Sequence, residues 1–442
     1  MPIASSGSAV HGELLERVDD ARRRSDELFG IVKPAALYER PIAERHRIIF
    51  YIGHLEAFDW NLLHGALPGL KSFHPEFDRL FAFGIDPVNG GLPSDQPSDW
   101  PRLVAVRDYV RKIRMALDEK LEDESSFGRS PDGYSLEILL NVAIEHRLMH
   151  VETLTYMLHQ LPLGQKTPRN PPADPIFSSP TPTMIGVPSG TATLGLPQKG
   201  SLFGWDNEFE AHEVEVPAFE IDRYKVTNRQ YLEFLTAGGY EARDLWSPAD
   251  WRWKSDHQIS HPVFWKKEGE TWFFRGMFEE IPLPLDWPVY VSHAEASSFA
   301  RWAGKSLPTE EEWQRTAYGT PDRQERPYPW GFDSPNPDLG NFDFQRWNPA
   351  AVTAFPQSES AFGAQDMSGN GWEWTSTQFS PFPGFKPFPF YRGYSADFFD
   401  GKHFIMKGAS ARTAKCMLRP SFRNWFQPHY QYVYAGFRCV KR

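Results

Sequence analysis

Glu145-His146-Arg147-Leu148-Met149-His150-Val151-Glu152 is the stretch on which the reading of this chain turns. His146 and His150 are four apart, so on a helix they lie one turn apart on one face. Two imidazoles placed that way can close on one metal ion. The order is not HExxH, which argues against a zinc-protease site. Upstream, Gly53-His54-Leu55-Glu56 puts a third histidine on another apolar, helix-like stretch. Bundle cores build metal sites from facing helices. Three neutral imidazoles on one side of an ion leave up to three positions open. That suits catalytic Fe(II), although imidazole also binds zinc, copper and nickel. Spacing alone leaves ordinary packing as the alternative, and His64 and His159 on the same helices remain open as partners.

Helical periodicity extends outward from this stretch. Leu14–Phe29 reads as one helix. Pro41, in a first turn, opens a second through Leu63. Ser98 opens a third to about Leu121, and Ser135–Leu161 supplies the fourth. One loop-rich connection, about 67–97, separates them. The pattern predicts a four-helix bundle over 10–161. Residues 162–183 are proline-dense and polar and read as a linker. Over 184–442 the chain turns to short strand-like pieces, many rings, and short helices at Asn228–Thr236 and Ala294–Ala303. The fold class expected is an α bundle followed by a loop-rich α+β domain.

Composition agrees with two or three domains in 442 residues. The 34 Phe, 16 Trp and 16 Tyr, with 39 Pro and 33 Gly, imply an irregular region held by buried rings. A net charge of −10 without a basic run argues against nucleic acid or an anionic membrane as partner. No apolar stretch reaches the length of a membrane span, and the first residues lack the apolar core of a secretory signal. A cytoplasmic enzyme of small-molecule substrates is expected, with homo-oligomerisation left open. Cys416 and Cys439 are the only cysteines, so neither a disulfide framework nor a cysteine-based zinc site is available.

Two resemblances sharpen these expectations. Residues 10–160 resemble the DinB-type bundle, in which one histidine of the second helix and an HxxxH pair of the fourth hold a metal; His54, His146 and His150 match that pattern. Residues 184–442 resemble formylglycine-generating enzymes and C-type-lectin-like domains. The matching segments are Met184–Gly190, Tyr224–Asn228, Trp287–Val289, Ala303–Trp313, Gly369–Thr375 and Ala435–Arg438. The paired active-site cysteines of formylglycine-generating enzymes have no match in the contexts of Cys416 and Cys439, which are expected to be structural or incidental. The fusion of these two parts resembles the ergothioneine-type sulfoxide synthases, most of all at Arg419-Pro420-Ser421-Phe422-Arg423-Asn424-Trp425.

That resemblance implies Fe(II) on the three histidines, O2 as co-substrate, and coupling of a thiol to imidazole C2 of Nα-trimethylhistidine (hercynine) with formation of a sulfoxide. Holding both substrates on one ion replaces a multi-body encounter, and an acidic side chain should assist loss of the C2 proton. By position, Tyr391 matches the family's catalytic tyrosine and Tyr394 a hercynine contact. Some relatives carry the tyrosine in the bundle's loop, but Phe81–Asp86 here contains none. Trp425 is expected to face the quaternary ammonium and Asn424 the carboxylate.

The chain departs from the family at three places. Phe426 and Tyr430 stand where users of γ-glutamylcysteine carry an aspartate and an arginine, which would pair with the glutamyl charges. Free cysteine is therefore the expected donor. Met149 stands where such members carry a glutamine before the second HxxxH histidine, so hercynine is expected to be held differently. A selenosugar, as in selenoneine synthases, is the alternative, with Phe426, His429 and Tyr430 as an aromatic wall. A DinB-type thiol transferase without O2 and a non-catalytic lectin-like module rank lower.

Overall fold

The computed structural model describes residues 4–83, 92–122, 129–169, 179–199 and 203–442. The chain divides into two compact units, Met1–Arg169 and Asn170–Arg442.

Helices α1 (Ala4–Phe29), α2 (Ile48–Leu63), α3 (Pro75–Phe83), α4 (Leu103–Leu121) and α5 (Leu136–His159) make up the first unit. α1 packs on α5, and α2 packs on α3, α4 and α5. α2 and α5 are buried nearly all round, which places them in the core. Ser135 caps α5, accepting the Ile138 N–H as an N-cap serine does.

The second helix begins later than Pro41. Residues 41–47 are turns, because the N–H groups of Ile48 and Ile49 are taken by the carbonyls of Glu39 and Leu37. That satisfies part of the open first turn of α2 with a looped-back chain. The third helix begins at Leu103, not Ser98. Pro97–Asp99 is an isolated 3-10 turn, and Trp100 is held extended before Pro101. The predicted 67–97 loop contains α3, whose nine residues were too few to show a period. Residues 170–178 of the expected linker lie outside the described residues, as do Gly84–Asp86 of the loop searched for a tyrosine.

The second unit is built on small sheets. Strands β1 (Met184–Val187), β2 (Gly190–Leu194), β3 (His212–Val216), β4 (Phe219–Asp222), β5 (Trp265–Glu268), β6 (Thr271–Arg275), β7 (Glu280–Pro282), β8 (Gly371–Gln378), β9 (Phe404–Ala409), β10 (Asn424–Phe426), β11 (Ala435–Gly436) and β12 (Val440–Lys441) pair in the orders β1-β4-β12, β10-β9-β8-β11, β2-β3 and β5-β6-β7. Helices α6 (Asn228–Thr236), α7 (Pro248–Asp256), α8 (His293–Trp302) and α9 (Glu310–Tyr318) lie between them. Thr227, Ser292 and Thr309 close capping boxes on α6, α8 and α9.

Four of the six sequence motifs of this unit converge on one buried carboxylate. Glu373 of β8 accepts Arg438 Nε at 2.6 Å and Nη2 at 2.9 Å. It also accepts Trp313 Nε1 at 3.1 Å and lies 3.2 Å from Lys225 Nζ. Four segments far apart in sequence are thereby tied at one point, and a buried charge needs such partners. Asn370, with φ +60, turns the chain into β8 and bonds both the N–H and the carbonyl of Ala350, at 2.8 and 2.9 Å. Cys416 and Cys439 are not joined in a disulfide.

Candidate metal centre and aromatic site

In the first unit, α2 supplies His54 and α5 supplies His146 and His150. One ligand atom from each lies within 4.8 Å of the others. His54 Nε2 and His150 Nε2 are 3.2 Å apart. Two imidazoles bound to one ion at about 2.1 Å would sit about 3.0–3.4 Å apart, so the spacing fits a shared metal. The imidazole of His54 donates Nδ1–H to the Phe81 carbonyl at 2.7 Å, which leaves Nε2 carrying the lone pair. His150 Nδ1 is buried and has no hydrogen-bond partner among the described residues.

Burial pushes the pKa of His54 down to about 4, and those of His146 and His150 well below the usual value, with the neighbouring imidazoles adding to the effect on the latter two. All three are therefore neutral at pH 7, the form that binds metal. Rings wall the group in. Phe58 stacks on His146 at 3.4 Å, Phe50 on His54 at 4.8 Å, and Tyr51 lies 5.7 Å from His150. His64 is elsewhere: its Nδ1 bonds Trp60 O within its own turn.

A buried ion network fixes the two ligand-bearing helices against each other. Arg147 donates to both oxygens of Glu56 at 2.9 Å and to Asp59 Oδ2 at 2.6 Å. Arg114 of α4 reaches Glu56 Oε1 at 2.7 Å and Asp26 of α1 at 2.6 Å. Burial alone would raise the Glu56 carboxyl, but the two guanidiniums hold it down at about 2; Asp59, sharing Arg147 with Glu56, is left raised by burial. Sequence reading passed over these groups. The signal was present: Glu56 and Asp59 interrupt an otherwise apolar helix, and Arg147 sits between the paired histidines.

In the second unit, Tyr391, Tyr394 and Trp425 share one aromatic cluster. Tyr394 stacks on Trp205 at 4.0 Å and meets Trp425 edge-on at 5.5 Å, and Tyr391 lies 5.6 Å from Tyr394. Phe379 covers one face of Trp425 at 4.0 Å, and Phe398 lies 5.7 Å away. Burial, with Asp206 beside it, pushes the Tyr391 phenol up to about 12, so it keeps its proton at neutral pH. Asn424 Oδ1 accepts the N–H of Trp425 at 2.9 Å, so its amide Nδ2 is the group turned to other acceptors. Phe426 and Tyr430 stack on each other at 4.8 Å, and Tyr430 meets Tyr432 edge-on at 5.4 Å. His429 bonds Asp250 Oδ1 at 2.8 Å and stacks on Trp253 at 4.8 Å.

The two arginines of the 419–425 segment are anchors. Arg419 pairs with Glu208, and Ser421 donates to the same carboxylate at 2.6 Å. Arg423 pairs with Glu310 at 3.0 Å and lies over Phe382 at 4.0 Å and Phe379 at 5.0 Å. Both guanidiniums are spent inside the fold, leaving Asn424 and Trp425 as the presented residues. Trp205 and Asp206, missed in the sequence, belong to the same neighbourhood; Asp206 accepts Ser395 Oγ at 2.5 Å.

The family model of the sulfatase-modifying factor enzyme 1-like domain matches residues 171–442. The chain is 34% identical to a hercynine oxygenase of Mycolicibacterium thermoresistibile, over 98% of this chain and 96% of that protein. It is 35% identical to the hercynine oxygenase of Mycolicibacterium smegmatis, over 88% and 89%. It is 28% identical to ergothioneine biosynthesis protein 1 of Neurospora crassa, over 92% of this chain and 55% of that longer protein.

Proposed function

This chain belongs to the hercynine oxygenase family, its second unit to the sulfatase-modifying factor enzyme 1-like family, and from that premise we propose that it is an iron(II)- and O2-dependent sulfoxide synthase acting on hercynine. The observation that carries the proposal is the buried, neutral, three-histidine group in the first unit, which we read as a DinB-type bundle. Iron bound there would supply the redox chemistry with O2 that side chains lack.

The remaining roles fall to the chain's own groups. His54, His146 and His150 offer lone pairs without having to lose protons. Trp425, Tyr394 and Phe398 form an aromatic surface for the trimethylammonium group. Asn424 Nδ2 donates to the substrate carboxylate. Tyr391 holds a proton on its phenol oxygen at neutral pH and delivers it as the sulfur is oxidised. The ring pair of Phe426 and Tyr430 offers no charge to a glutamyl group, which supports free cysteine as the donor. The same ring pair favours one second reading, a selenosugar donor, because flat rings suit the apolar face of a sugar.

The test is product analysis. Iron-loaded enzyme is supplied with hercynine and, in turn, cysteine, γ-glutamylcysteine and a selenosugar, and the products are weighed by mass spectrometry. A hercynyl-cysteine sulfoxide is expected. A product only with the selenosugar would move the reaction to carbon–selenium bond formation, and one only with γ-glutamylcysteine would overturn the reading of Phe426 and Tyr430.

A further inference from the structure

Helix α3 contributes no ligand to the histidine group, yet it touches that group at one defined point. Phe81, fully buried on α3, lies directly over Gly53, the residue before His54. A Cβ on Gly53 would fall 2.5 Å from Cγ and Cδ1 of the Phe81 ring and 2.6 Å from Cδ2. No carbon atom is tolerated at that distance, so only glycine lets α3 come this close to α2. The approach brings the Phe81 carbonyl to 2.7 Å from His54 Nδ1.

The other turn of α3 is pinned as firmly. Asp78, three residues before Phe81, accepts the Tyr109 hydroxyl of α4 at 2.7 Å and Ser72 Oγ at 2.5 Å. The Asp78 carbonyl accepts Asn61 Nδ2 of α2 at 3.1 Å. The Phe81 ring sits between Phe77, edge-on at 5.3 Å, and Tyr109 at 5.8 Å.

We infer that α3 is a positioning helix for the metal centre: Gly53 admits Phe81, and the Phe81 carbonyl locks His54 in the Nδ1–H tautomer, so that Nε2 is the atom presented to the ion. The inference rests on the reading of the three histidines as metal ligands. Gly53, Phe81 and, through Asp78, Tyr109 are positioning residues. A metal-bound imidazole is oriented by whatever its second nitrogen donates to, and losing that partner costs about 10- to 100-fold in metal affinity.

The experiment measures metal uptake by the full-length, metal-free protein, with Fe(II) under anaerobic conditions and with Co(II), whose visible spectrum reports ligand geometry. Gly53→Ala is expected to weaken both ions by about 10- to 100-fold and to alter the Co(II) bands. Adding Phe81→Ala to it makes room for the new methyl group while keeping the carbonyl, and is expected to restore affinity to within a few-fold of wild type. Tyr109→Phe, a milder change that frees one tie on Asp78, is expected to weaken binding several-fold in a protein that still folds. Equal affinity in wild type, G53A and Y109F, or a G53A loss that the second substitution does not rescue, would overturn the positioning role. A wild-type protein that takes up neither ion would overturn the metal reading itself, and the inference with it.

Discussion

Arg147→Met removes the guanidinium that ties α5 to α2 beside the histidines. Glu56 and Asp59 are 1% and 3% exposed, so neither can turn to water when Arg147 is gone. Removing one member of a buried ion pair costs about 3–5 kcal/mol, because the remaining charge keeps its burial and loses its counter-charge. Glu56 retains Arg114 at 2.7 Å, which lowers its share. Asp59 loses its ion pair at 2.6 Å, and its Oδ1 has no partner among the described residues to begin with. The expected loss at pH 7 is therefore at the low end, about 3 kcal/mol. The Asp59 carboxyl is already raised by burial and rises further without Arg147. A carboxyl raised in the folded state is destabilising as an anion above that pKa and ceases to be as pH falls through it, so the deficit shrinks toward pH 5. The assay is urea unfolding at pH 7 and pH 5, read by hydrogen exchange at α2 and α5 amides to isolate the first unit. A loss under about 1 kcal/mol, the size of an exposed pair, or one that does not shrink at pH 5, would refute the reasoning.

Three further outcomes are expected. Burial pushes His293 down to about 4, against an ordinary value near 6.5; the unfolded chain then binds more protons between those values, and the second unit loses about 3 kcal/mol as pH falls from 6.5 to 4. His293→Gln should flatten melting temperature against pH in that window, and an unchanged slope would assign the acid sensitivity to other groups. Glu310→Gln strips the counter-charge from buried Arg423 and loosens the Phe379–Trp425 stack; it should cost about 3 kcal/mol and raise KM for hercynine more than KM for the donor, whereas equal changes in both would deny it a link to Trp425. Tyr391→Phe should slow sulfoxide formation by about 100-fold and divert turnover to thiol oxidation, and an unaltered product ratio by mass spectrometry would remove the tyrosine from the reaction.

Much of the molecule was legible because its signals are local or family-borne. The i, i+4 histidines, the apolar periods of α2 and α5, and the switch to aromatic, strand-like sequence at Met184 all declare themselves in short windows. The separated motifs of the second unit make sense once Glu373 is seen to collect Lys225, Trp313 and Arg438. What stayed hidden depends on contacts far apart in sequence. Helix starts were displaced at Pro41 and Ser98 because carbonyls and side chains of other segments, not local propensity, satisfy the chain there. Gly53 reads as an ordinary helix glycine until Phe81, 28 residues on, is laid against it. Arg419 and Arg423 carry no assigned role in the one-dimensional Arg419–Trp425 motif, and only Glu208 and Glu310 reveal them as anchors.

The most direct measurement is oxygen consumption by protein reconstituted anaerobically with Fe(II), before and after adding hercynine and cysteine together, in wild type and in His54→Ala, His146→Ala and His150→Ala. One iron per chain, with uptake that needs both substrates and vanishes in all three variants, is the expected result. Stoichiometric iron with no substrate-dependent uptake, or full uptake in any histidine variant, would contradict the assignment of an iron oxygenase to this site.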